Sequence, residues 1–127
     1  MRAIGLFAAV CWLLVGQAHG QTAAENAACE SASTTAAMRE CELARLKRAD
    51  EEMEAAYRAL SATLDPEAQV KLRVAQEAWL KFRAAEAAYQ ADAARGGTLA
   101  PLIAETVRAD LTESRRKELE KAIRDRK

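Results

Sequence analysis

The chain has 127 residues, with 19 basic and 19 acidic side chains and a formal net charge of zero. That length favours a single domain. The balanced charge favours neither nucleic acid nor an anionic membrane surface as a partner.

The first twenty residues have the layout of a secretory signal peptide. Met1 and Arg2 give a short basic start, residues 3–15 are apolar, and Ala18 and Gly20 supply small residues for cleavage. The apolar run is shorter than the roughly 20 residues that span a bilayer. We therefore predict that residues 1–20 are removed on export, with a lipidated or retained anchor as the alternative.

Export places one domain, residues 21–127 with a core at about 25–123, in the periplasm or outside the cell. Cleavage after residue 20 removes Arg2, which leaves 18 basic and 19 acidic residues, and it also removes the single histidine, His19. Without histidine, neither a Ser-His nor a Cys-His catalytic pair can form. No phosphate-binding glycine loop is present either. We expect a protein that is not an enzyme and that holds no cofactor or metal.

Two cysteines, Cys29 and Cys41, remain after cleavage. In an oxidising compartment such a pair is expected to form a disulfide, although two reduced, buried thiols remain the alternative. Along one continuous helix their Cα atoms would lie about 18 Å apart, beyond the roughly 4.4–6.8 Å that a disulfide allows. The chain must therefore reverse between them, and the Ser/Thr-rich residues 31–35 have suitable turn chemistry.

Alanine supplies 27 of the 107 residues after position 20, and no alternating run of strand length appears. This composition predicts an all-α bundle built on a long antiparallel helical hairpin, with short N- and C-terminal helices packed across it. Asp65 and Pro66 should end one long helix and begin the next, and Gly96 and Gly97 should end that one. The predicted helices are 23–31, 35–63, 66–95 and a shorter one capped near Thr98; Thr112 either starts a further helix or lies in a continuing one.

Polar residues interrupt the apolar stripe of the third predicted helix. Gln76, Trp79, Arg83 and Glu86 are spaced by three and four residues and therefore share one face. We expect Arg83 to pair with Glu86, or with Asp50 or Glu54 of the second helix, and Gln76 to bond a backbone carbonyl. The favoured interpretation is structural, with the stripe fixing how helices dock; an exposed interface hot spot is the alternative.

Three segments resemble the LprI-like family, named for a lysozyme inhibitor of the bacterial envelope: 75-AQEAWLKFRAAEAA-88 with the following 96-GGT-98, 111-LTESRRKEL-119, and Cys29 and Cys41 followed by 49-ADEEMEAAYRAL-60. Members commonly carry a second cysteine pair, at places occupied here by Ala87 and approximately Val107. The resemblance therefore implies a single disulfide in this chain. It also marks one set of residues as a structural motif or, alternatively, an interface: Gln76, Trp79, Arg83, Glu86, Gly96, Gly97, Thr112 and Arg115.

The resemblance implies binding to a lysozyme-type muramidase. The expected action is occlusion of the enzyme's cleft, by the loop at residues 95–98 or by acidic residues. A small, non-catalytic envelope module with an unrelated protein partner is the alternative function. The sequence leaves the partner and the oligomeric state open.

Overall fold

The computed structural model describes residues 23–126, so the predicted signal peptide lies outside the described residues. Four α-helices and one short 3-10 turn make up this part, and it contains no strand, which confirms the all-α prediction. None of its helices is both long enough and apolar enough to cross a membrane. The helices are α1 (Ala23–Glu30), α2 (Thr35–Ser61), α3 (Pro66–Ala91) and α4 (Leu99–Arg124), with the 3-10 turn at Asp92–Ala94.

The ends of the long helices follow the capping residues in the sequence. Thr34 has an extended backbone and its side chain accepts a hydrogen bond from the Ala37 amide, which starts α2. Asp65 does the same for the Ala68 amide at 2.8 Å, and Pro66 occupies the first position of α3. The predicted Asp-Pro break between the two helices is confirmed.

The connection from α3 to α4 depends on one glycine. Gly96 has φ of +80°, a left-handed conformation that other residues adopt only with strain. α3 ends at Ala91 and not near Arg95 as predicted, and a 3-10 turn at Asp92–Ala94 follows it, so Gly96 and Gly97 lie in the break between α3 and α4 without ending α3 themselves. Thr98 occupies the N-cap position of α4, as predicted, although its side chain makes no capping hydrogen bond.

The C-terminal helix is longer than expected. α4 is one helix of 26 residues, and Thr112 lies inside it rather than at the start of a further helix. α4 packs along both α2 and α3, whereas α2 and α3 have little direct backbone contact with each other. Ion pairs show that α4 runs parallel to α2, and side-chain contacts show that α3 runs antiparallel to both. α4 therefore forms the spine of the bundle.

A small apolar core lies at one end of the bundle. Met53, Ala56 and Leu60 of α2 pack with Leu119 of α4. Partly buried side chains surround this cluster: Tyr57, Leu64, Leu72, Trp79, Ala122 and Ile123. Elsewhere, fully buried alanines allow close helix approach, as Ala87 and Ala109 do. Because alanine buries little apolar area, polar contacts must share in fixing how the helices dock.

The predicted disulfide joins Cys29 to Cys41. Their Cα atoms lie 5.7 Å apart across 12 residues of sequence, so the chain does reverse between them. The Ser31 hydroxyl donates to the Ala27 carbonyl at 2.9 Å, which closes the end of α1. No residue of α1 is buried, so the disulfide is the strongest link between this helix and the bundle.

Candidate functional site: the groove and its polar clamp

One arginine connects the three long helices. The guanidinium Nη1 of Arg83, on α3, donates to Asp50 Oδ1 of α2 at 2.5 Å and to Thr112 Oγ1 of α4 at 2.7 Å. The Arg83 side chain is only 17% exposed, and Thr112 is completely buried. Because the donor is charged and fixed in direction, these bonds are stronger than bonds between neutral groups. We call Asp50, Arg83 and Thr112 the clamp.

The position of Thr112 explains why a hydroxyl is tolerated inside α4. Its Oγ1 donates to the Arg108 carbonyl one turn earlier, at 2.7 Å. This bond uses the hydroxyl proton and leaves the oxygen lone pairs facing Arg83. The buried hydroxyl therefore has both a donor and an acceptor partner, as a polar group without access to water requires.

A second set of contacts surrounds Trp79 beside the clamp. The guanidinium carbons of Arg83 and Arg115 lie 5.2 Å and 5.9 Å from the centroid of its ring, within cation–π range. Arg115 Nε also donates to Gln76 Oε1 at 3.0 Å, and Gln76 Nε2 donates to the Met53 sulfur at 3.4 Å. The predicted bond from Gln76 to a backbone carbonyl is therefore wrong, because the amide nitrogen that would donate it donates to the Met53 sulfur instead.

The structure brings together five of the predicted motif residues: Gln76, Trp79, Arg83, Thr112 and Arg115. The others lie apart. Glu86 accepts a hydrogen bond from Gln90 at 2.7 Å instead of pairing with Arg83. Gly96 and Gly97 form the connection to α4 and do not line the groove described next. Of the acids proposed for Arg83, the structure selects Asp50.

A groove of about 640 Å³ lies between α2 and α3, and all of its lining residues come from these two helices and none from α4. The clamp and the bond from Gln76 to Met53 cross it, so both helices are held at a fixed separation. Apolar side chains from both helices cover its walls, and Leu80 is 39% exposed there. The apolar lining residues are Leu43, Leu46, Met53, Tyr57 and Leu80.

Acidic side chains follow the α2 edge of this groove. Asp50, Glu51 and Glu54 line it, together with a single lysine, Lys47. Asp50 is engaged with Arg83, and Glu54 forms an exposed ion pair with Arg58 at 3.4 Å. Glu51 is exposed and has no ion-pair partner within residues 23–126. The same residues contain no group of three or more His, Cys, Asp or Glu side chains able to hold a metal ion.

Ion pairs between α2 and α4 were not anticipated from the sequence. Arg45 donates to Glu113 at 2.7 Å and 2.8 Å and to Asp110 at 2.6 Å. The hydrogen bond to Glu113 raises the pKa of Arg45, and the bond from Arg45 lowers the pKa of Glu113. Arg39 pairs with Glu105, a carboxylate that is only 7% exposed.

Farther along the same interface, Arg116 lies between Glu52 and Glu120. Its Nη1 donates to Glu120 at 2.6 Å, and this bond is the main cause of a raised Arg116 pKa. Arg116 Nε is 3.3 Å from Glu52 Oε2 but lacks hydrogen-bond geometry, so it counts as an ion pair only. The sequence does contain a signal for these pairs, because arginines and acids along α2 occur in the same order as their partners along α4. This order predicts the pairs only once the two helices are known to run parallel.

Most of the chain, including the groove and the clamp, matches a known protein family. The family model described as Lysozyme inhibitor LprI matches residues 26–119. That range contains both cysteines, the groove and the clamp. The curated proteins and the solved structures gave no match. Because the match covers well over half of the chain, this protein belongs to the Lysozyme inhibitor LprI family.

Proposed function

We propose that the protein is exported to the periplasm or beyond, where it inhibits a lysozyme-type muramidase by covering its active-site cleft. The observation that carries this proposal is the family match over residues 26–119. The signal-like residues 1–20 and the Cys29–Cys41 disulfide are consistent with an oxidising compartment. The protein acts by binding and not by catalysis.

The groove between α2 and α3 is the surface that we assign to the enzyme. Its apolar walls offer area for burial, and Leu80 on the α3 side is 39% exposed. Lysozymes of the common type are basic, and the edge formed by Asp50, Glu51 and Glu54 is acidic. The charge of the whole chain is balanced, so the electrostatic complementarity rests mainly on Glu51, because Asp50 and Glu54 are already paired with Arg83 and Arg58.

The clamp contributes by keeping the groove ready to bind. Arg83 joins α2, α3 and α4, so the groove walls need little rearrangement when a partner enters. A preformed surface loses less conformational entropy on binding, which favours affinity. Under this proposal the clamp positions the interface without itself being the main contact.

The connection at residues 95–98 is the less suitable surface. Arg95 there is held by two hydrogen bonds to Asp92, at 2.7 Å and 2.6 Å, so its charge is already neutralised locally. Gly96 and Gly97 offer no side chain for burial. The groove has both apolar area and an acidic edge, and it is therefore preferred.

The test measures lysis of cell-wall substrate by several classes of lysozyme, with and without the protein. The variant Glu51→Lys/Glu54→Lys reverses the edge and should weaken inhibition, chiefly through slower association at low salt. Leu80→Ala removes apolar area and should speed dissociation. Two matched controls lie outside the groove and should leave inhibition unchanged: Glu30→Lys and Leu99→Ala.

Two results would contradict the proposal. The first is the absence of inhibition of every lysozyme class at large molar excess of correctly folded protein. The second is that the groove variants inhibit lysozyme as strongly as the controls do. This result would reject the groove as the binding surface but would leave the inhibitory activity itself standing. Circular dichroism on each variant confirms that the helices are intact before any comparison is made.

A further inference from the structure

α3 has a second apolar face that the bundle does not use. Val70, Val74, Phe82 and Tyr89 are 52%, 54%, 52% and 75% exposed. Helical geometry places them on the side of α3 turned away from α4, opposite Gln76, Arg83 and Ala87. Four large apolar side chains along a single helix form a surface that monomeric proteins usually cover.

The spacing along this face is that of a helix that pairs with another helix. Ala75, Ala78, Phe82, Ala85 and Tyr89 follow one another at intervals of three, four, three and four, and all are exposed. Apolar residues at this interval form the seam of a coiled coil. Three alanines in the seam permit a close approach of two backbones, with Phe82 and Tyr89 supplying the bulk.

The same face is complementary to itself when two copies of α3 run antiparallel about a two-fold axis at the level of residue 79. Because both helices have the same rise per residue, each residue then faces a residue of the second copy whose number is about 158 minus its own. This register places large side chains opposite small or apolar ones. The apolar pairs, with the second residue in the second copy, are Val70 with Tyr89, Val74 with Ala85, and Ala75 with Phe82.

Charges at the edges of the face also match in this register. Lys81 lies opposite Glu77 of the second copy, and Lys71 lies opposite Glu86 of the second copy, each pair occurring twice by symmetry. Lys81 has no ion-pair partner within residues 23–126 of its own chain. Glu77 currently pairs with Arg73 one turn away, an exposed contact that is easily exchanged. Within α3 itself, no pair in this register opposes two like charges.

We propose that this face is a homodimer interface, in which α3 packs antiparallel against α3 of a second copy of the chain. Such a contact is isologous, using the same residues twice, and it closes at two subunits. The groove and its acidic edge lie on another side of α3, so both copies keep an accessible groove. The dimer is therefore independent of the proposed inhibitory activity.

The experiment measures molar mass by light scattering and by sedimentation, over a range of concentration, on the protein produced from its full coding sequence. The expected result is a dimer, whose molar mass is twice that of the single chain measured by mass spectrometry. Phe82→Glu introduces two buried charges per dimer and should raise the dissociation constant by at least about 100-fold. Leu99→Glu, at a residue of similar exposure on α4, is the matched control and should remain dimeric.

A charge exchange tests the register itself. Lys81→Glu places two like-charged pairs in the interface and should weaken the dimer by about 10-fold. Adding Glu77→Lys in the same chain restores opposite charges across the two-fold axis and should recover the affinity. A monomer at the highest accessible concentration, a dimer unaffected by Phe82→Glu, or a double exchange weaker than the single one would overturn the proposal.

Discussion

Replacing Arg83 tests whether the clamp holds the bundle together. Arg83→Ala removes a bond to the half-exposed Asp50, worth about 1 kcal/mol, and one to the buried Thr112, worth about 1.5 kcal/mol. Loss of the cation–π contact with Trp79 adds about 0.5 kcal/mol. The free energy of unfolding should therefore fall by about 3 kcal/mol, a large share of the 5–15 kcal/mol typical of a domain.

Urea unfolding followed by circular dichroism measures this loss, with Arg73→Ala as the matched control. Arg73 lies on the same helix and makes only an exposed ion pair with Glu77, so its replacement should cost no more than about 0.5 kcal/mol. Equal losses for the two variants would refute the structural role of the clamp. Thr112→Val, which keeps the shape but removes the hydroxyl, should cost less than Arg83→Ala and couple to it in a double-mutant cycle.

Three further predictions concern charge, the disulfide and the glycine turn. The lowered pKa of Glu113 gives stability that is complete above its unfolded value of about 4.3 and disappears as the pH falls through the lower folded pKa. Glu113→Gln should therefore narrow the difference in unfolding free energy between neutral and acid pH, and an unchanged difference would contradict this. Replacing Cys29 and Cys41 by serine should cost at most about 3 kcal/mol and increase amide hydrogen exchange in α1, while α2 to α4 stay protected. Gly96→Ala should lower the unfolding free energy by about 1 kcal/mol through its positive φ alone, since nothing lies within 4 Å of an added Cβ. Gly97→Ala is not a matched control, because an added Cβ there would lie 3.3 Å from the Ala94 carbonyl oxygen. An unchanged unfolding free energy for Gly96→Ala would reject the conformational reason.

Local chemistry made most of the helix boundaries predictable. Thr34, Asp65, Pro66 and Gly96 act on their immediate neighbours, so their effects can be read without knowing the tertiary arrangement. The disulfide was predicted from the two cysteines of a chain expected to be exported, and its Cα distance limit then required the chain reversal between Cys29 and Cys41. In contrast, the length of α4 was underestimated, since Thr112 resembles a helix start until its buried contact with Arg83 is known.

The candidate site was only partly predictable for a related reason. The shared face of Gln76 and Arg83 followed from helical spacing, and Asp50 was among the acids expected for Arg83. The partners on α4 did not follow, because they require the packing of α4 along both other long helices. The groove likewise depends on α2 and α3 having little direct backbone contact with each other, which no short stretch of sequence encodes.

Hydrogen exchange on the complex with an inhibited lysozyme is the most direct test of where the enzyme binds. The groove assignment predicts slower exchange at residues 43–57 of α2 and 76–83 of α3, with the connection at residues 95–98 unchanged. Protection confined to residues 95–98, or to α1 and the C-terminal turn of α4, would contradict it.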